Sequence, residues 1–161
     1  MRSSSSAGAR PILPLELPGE LRARLLTWSR EAHPLEACGL LIGRAEPKTL
    51  RVLRAERARN LARERGRYTV APEDWRELEL AARRESLEVV AIWHSHPDSP
   101  AEPSPIDRDG AWEGWTHVIV GRAASGVEVR AWLLERDAFV ERTVLVRAAC
   151  GREEMNPGAG A

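Results

Sequence analysis

Two histidines one residue apart, His94 and His96, are followed after seven residues by Ser104 and after two more by Asp107. Along a strand, residues i and i+2 point the same way, so two histidines with this spacing at a strand end converge on one side and can share a metal. Asp107, in the first turn of a helix after a proline-rich loop, supplies a third ligand where that loop folds back. Two neutral imidazoles and one carboxylate leave a zinc ion with net positive charge and an open fourth position, the layout of a catalytic rather than a structural site. Such an ion lowers the pKa of bound water to about 7. A carboxylate must then carry the proton from water to a departing amine. Glu36, just ahead of the apolar run ACGLLIG, and the nearby Glu31 are the acids the sequence offers for that work. Ser104 suits a hydrogen bond to a developing oxyanion. It suits equally the N-cap of a helix with Pro105 in the first turn and Asp107 as capping acid. The same donor set also forms the facial triad of mononuclear iron oxygenases, which stands as an alternative.

These side chains need elements to hold them. Leu17 to Ala32 places Leu21, Leu25, Leu26 and Trp28 near helical spacing. ACGLLIG reads as a buried strand and TLRVLRAERA as a more exposed one. NLARERGRY is a polar, arginine-rich loop whose Arg65 and Arg67 are candidates for touching a substrate tail. A second helix starts near Pro72, with Glu73 and Asp74 favouring the positive end of its dipole. Glu88 to Trp93 is a buried strand, and HSHPDSPAEPSP, which follows it, is excluded from regular structure by its prolines until Pro105 opens a short third helix. THVIVG, VEVRAWLL and FVERTVLVRA are three further strands. Helices and strands alternate without a regular βαβ beat, so the fold class is α/β with a mixed sheet flanked by helices.

The 161 residues suffice for one domain, expected over 12–149, between a disordered segment 1–11 and a flexible tail 150–161, both poor in core-forming residues. Lys plus Arg and Asp plus Glu each total 24, which gives no footprint for nucleic acid or an anionic membrane surface. There is no apolar segment of spanning or signal-peptide length, so a cytoplasmic location is expected. Cys38 and Cys150 form no metal-ribbon or redox pair, and Cys38 is expected to be a buried thiol. Ser95 should face away from the metal, His33 and His117 should be structural or surface residues, and Trp93, Trp112 and Trp115 are expected to pack in the core, with one of them walling a substrate groove as the alternative.

Glu36 within LEACGLLIG, together with HSHPDSPAEPSPID, resembles the signature of the JAMM, or MPN-plus, metalloproteases: an early Glu, then H-[ST]-H-x7-S-x2-D. With 4 histidines in the chain the full pattern is improbable by chance. The resemblance spans Leu17 to about Val146 and implies a deaminase-like fold. It also implies zinc held by His94, His96 and Asp107, Glu36 rather than Glu31 as the base, and Ser104 as the oxyanion donor. The implied reaction is hydrolysis of a peptide or isopeptide bond. Because the chain between Glu36 and His94 is too short for long insertions, the implied substrate is the C-terminal tail of a ubiquitin-like or sulfur-carrier protein. A non-catalytic scaffold of the same fold is the other alternative. The sequence does not set the oligomeric state.

Overall fold

The apolar run after Glu36 becomes the middle of a sheet because both of its faces are covered, leaving Cys38 to Gly43 buried without interruption. The computed structural model describes residues 11–148. The expectations for the two ends, and Cys150 with them, lie outside the described residues apart from Pro11. The elements are β1 (Leu15–Pro18), α1 (Gly19–Ala32), β2 (Cys38–Glu46), β3 (Thr49–Ala58), α2 (Pro72–Arg84), β4 (Glu88–Ser95), α3 (Pro105–Gly110), β5 (Thr116–Ala123), β6 (Gly126–Glu135), β7 (Ala138–Arg142) and β8 (Val144–Arg147). They build one mixed sheet in the order β7-β6-β5-β4-β2-β3-β1-β8. β1 runs parallel to β3 and β8, and β4 parallel to β5, while the remaining pairs are antiparallel.

The core lies between α1 and one face of the sheet. Leu21 and Leu25, one helical turn apart, are buried there against Leu41, Val52, Ala91, Trp93 and Val118. Trp93 stacks on Trp28 at 5.7 Å and donates its indole N–H to the Glu56 carbonyl at 2.9 Å. Gly39 makes that crossing possible, since a β-carbon there would collide with the Glu56 carbonyl and the Trp93 indole. Strand alternation then assigns the faces of β4: Ala91 and Trp93 face α1, so Ile92 and His94 face the side where α2 and α3 lie.

Three sequence expectations change. Leu17 and Pro18 belong to β1, and the helix begins at Gly19; a four-residue strand that follows Pro14 and ends on Pro18 carries too little periodicity to be read, and pairing with β3 and β8 defines it. β4 continues past Trp93 to Ser95, because the first proline comes only at Pro97 and the ladder with β5 runs on through His94↔Ile119 and Ser95↔Val120. The final run is two strands parted at Thr143, which sit at opposite ends of the strand order, so the sheet curls until its ends are joined through this one segment. No helix among the described residues is long and apolar enough to cross a membrane.

Candidate metal centre and active site

His94 lies in β4 and His96 just beyond its end, where the His96 backbone N–H donates to the Val120 carbonyl at 2.7 Å and prolongs the parallel ladder. Between them Ser95 faces the opposite side, as expected, and its hydroxyl accepts the Ala37 N–H at 2.8 Å. The loop after His96 is pressed onto β5, with the Arg122 N–H donating to the Ser99 carbonyl at 2.8 Å. Gly121 permits this approach, because a β-carbon there would strike the backbone of Pro100 and Ala101. Ser104 then caps α3. Its hydroxyl accepts the Asp107 N–H at 3.1 Å, while the Asp107 carboxylate accepts the Ser104 N–H at 2.7 Å. This reciprocal box fixes the Asp107 side chain toward the histidines.

The donor atoms of His94, His96 and Asp107 all lie within 4.8 Å of one another, and all three residues are buried. The two Nε2 atoms are 3.2 Å apart, and each lies 3.2 Å from a different Asp107 oxygen. His96 Nδ1 lies 2.9 Å from the Pro100 carbonyl, which can only accept, so Nδ1 carries the hydrogen and Nε2 presents its lone pair. A lone pair directed at a second imidazole nitrogen and a carboxylate is repulsive unless a shared proton or a cation lies among them. The donor set therefore fits a divalent cation. Burial works to raise the Asp107 carboxyl, but the two imidazoles set against its oxygens, His94 first, and the Ser104 N–H outweigh it and hold the group well below the usual carboxylate range. Burial holds His94 down, in the neutral form a metal requires.

Glu36 is buried one residue before Ala37, whose carbonyl accepts the Ser95 N–H at 2.9 Å, and this places it alongside the His96 end of β4. Its backbone carbonyl accepts the Asn60 amide at 3.0 Å, and its Oε2 is buried without a partner among the described residues. Burial and the Asp107 charge raise its carboxyl to about 7 against the pull of His96. Glu31 is exposed and paired with Arg57. Glu36 is therefore the carboxylate that the fold brings to the group, and it is poised to exchange a proton near neutrality.

Tyr68, the single tyrosine of the chain, was not singled out by the sequence; it stacks on His94 at 4.3 Å between centroids and 17° between planes. Its position ending the polar loop was the available signal. Pro100, which orients His96, was equally unmarked within a run of prolines. Arg65 and Arg67 are exposed on that loop, where Arg67 pairs with Glu64. Cys38 is buried, and burial first, then the Glu36 charge, pushes its thiol to about 12, so it is no nucleophile. His117 is buried, while His33 is exposed beside Asp98. Trp93 packs in the core, but Trp112 is 61% exposed, contrary to expectation, because it follows α3 on the outer surface.

The family described as prokaryotic homologs of the JAB domain matches residues 18–135. A "Desampylase" of Haloferax volcanii is 33% identical over 111 residues, which cover 65% of this chain and 78% of that protein. A "Probable TtuB-protein conjugate cleaving protease" of Thermus thermophilus is 37% identical over 134 residues, covering 83% of this chain and 82% of that protein. Among solved structures, a solution structure of a protein from Desulfitobacterium hafniense superposes with a TM-score of 0.78 at 24% identity, covering 84% of this chain and 94% of that one, a likeness of fold.

Proposed function

The chain belongs to the family of prokaryotic homologs of the JAB domain, and from that premise we propose that it is a zinc-dependent hydrolase cutting a peptide or isopeptide bond at the C-terminal tail of a small ubiquitin-like or sulfur-carrier protein. The observation that carries the proposal is the convergence of three buried donors with a buried, unpaired Glu36 beside them. The relatives' names support the substrate class: one is a desampylase and another a probable TtuB-protein conjugate cleaving protease. His94, His96 and Asp107 hold the metal in this reading. Zinc bound there supplies a Lewis acid that polarises a carbonyl and acidifies water.

The chain's own residues do the rest. Glu36 takes a proton from the attacking water and returns it to the departing amine, a task matched by a carboxyl held near 7. Ser104 uses its oxygen to accept the Asp107 N–H, which leaves its O–H to donate to the oxygen that gains charge as the carbonyl is attacked. Tyr68 and the Pro100 carbonyl fix the two imidazole planes. A cytoplasmic setting is part of the same proposal. The test is zinc content and cleavage of a carrier-protein adduct. Wild type should bind one zinc and cut, while Glu36→Gln should keep the zinc and lose about 10²- to 10⁴-fold in kcat. Full activity in Glu36→Gln at unchanged zinc content would remove Glu36 from the mechanism.

A further inference from the structure

Beside the metal-ligand group lies a second feature that the proposed chemistry does not use. A cavity of about 290 Å³ is lined by Tyr68, Trp75, Ile106, Trp112 and the buried Asp107 and His117. Asp107 is common to the cavity and the ligand set, and its two oxygens are turned to the histidines. It is also the only charged residue in the lining. Trp75 meets Trp112 edge-on at 6.0 Å and Trp115 at 5.5 Å, so the aromatic wall is braced from behind. At the rim Trp112 is 61% and Ile106 43% exposed. His117 packs edge-on against Phe139 at 5.5 Å, and both of its ring nitrogens are buried without a partner among the described residues. Burial, with help from His94, pulls it down to about 4, so it adds no charge at neutral pH.

We infer that this cavity is a side-chain subsite, which takes one aromatic or long aliphatic side chain of the substrate next to the bond that is cut; the inference rests on the hydrolase reading above. A charged side chain entering it would lose its hydration and meet no opposite charge. A small side chain would leave the aromatic wall uncovered, whereas a large one buries roughly 150–250 Å² against it. Because Asp107 belongs to both sites, an occupant of the cavity has its backbone beside the metal-ligand group. Exposed tryptophan and isoleucine at the mouth of an apolar cavity are the features of a surface that is covered in use.

The test uses zinc-loaded protein titrated with N-acetylphenylalaninamide, N-acetylalaninamide and N-acetylaspartamide, followed by the NMR signals of the His117 ring and the Trp112 indole. The phenylalanine amide should shift both signals saturably and bind about tenfold or more tightly than the other two. Trp112→Ala, a change at an exposed position, should erase that preference with zinc content unchanged, and His117→Gln provides a second variant. Equal weak shifts for all three amides, or a preference that survives Trp112→Ala, overturn the inference. A parallel assay uses peptide adducts with Phe, Leu, Gly or Asp on either side of the scissile bond. Preference for Phe or Leu at one of those positions, lost in Trp112→Ala, supports it. Cleavage without preference overturns the subsite and leaves the hydrolase standing. Selective amide binding with no cleavage of any adduct leaves the subsite standing and overturns the hydrolase.

Discussion

Glu36 is held where its ionised form is least at ease, and that discomfort is measurable apart from turnover. Its carboxyl has an ordinary value of 4.5 and is raised to about 7, first by burial and then by the Asp107 charge. A raised carboxyl favours the protonated form in the folded state, so its contribution is fully present below pH 4.5 and is lost as pH climbs through 7. In metal-free protein, Glu36→Gln should therefore match wild type below pH 4.5 and exceed it above pH 7 by up to about 3 kcal/mol, read from denaturant unfolding. Identical pH profiles would show that the carboxylate is not desolvated. Ser104 carries two roles that one substitution separates. Loss of its cap in Ser104→Ala should cost about 1 kcal/mol of stability, and loss of an oxyanion donor a further drop of about 10²-fold or more in kcat. A fall in melting temperature at unchanged kcat would leave it a cap alone. The group of His94, His96 and Asp107 was legible because types and spacing are local properties of the chain, whereas Glu36 was separated from Glu31 only by the family resemblance. Tyr68 and Pro100 were not, since a stacking partner 26 residues from His94 and a carbonyl acceptor are set by tertiary geometry alone.

At the scale of elements, the site is a strand end, a pressed loop and a capped helix, and the loop is the part under most constraint. β4 and the residue just past its end deliver two donors, α3 delivers the third, and the ten residues from His96 to Pro105 must return over β5 to bring them together. Gly121 is the contact that lets the loop lie that close. Gly121→Ala should lift it, so that zinc binding weakens by about tenfold or more while β5, paired on both sides, stays folded. The measurement is zinc affinity by competition with a chelator, alongside circular dichroism. Unchanged affinity would mean that the loop adapts without loss. The same distinction explains what the sequence told of the elements. Long, strongly patterned segments such as β2, β4 and α2 were readable. β1 was not, with four residues of which the last is a proline, nor was the break at Thr143, which separates two strands only because they pair with different neighbours, β6 and β1.

For the molecule as a whole, the candidate metal group ties the middle of the sheet to a short helix outside it. β4 is paired on both sides at the centre of the strand order, whereas α3 is a six-residue helix reached through a proline-rich loop. An ion shared between them binds only the folded chain, so it stabilises the whole by mass action. At a free zinc concentration about a hundred times Kd the gain is about 2.7 kcal/mol, and at this chain length that is about 5–10 °C in melting temperature. The pH dependence has a definite sign. Zinc needs both imidazoles neutral and the Asp107 carboxyl ionised. The carboxyl lies well below its usual range and stays ionised throughout. His96 is the ligand that protons reach first, because hydrogen bonds to Asp107 and Pro100 overcome its burial and raise it, while burial lowers His94. The gap in melting temperature between zinc-loaded and chelator-treated protein should therefore be widest at pH 7.5 and above and narrow steadily toward pH 5.5. Paired thermal scans across that range decide the matter. A gap independent of pH would remove the histidines from the ligand set, whatever the enzyme then proved to cut.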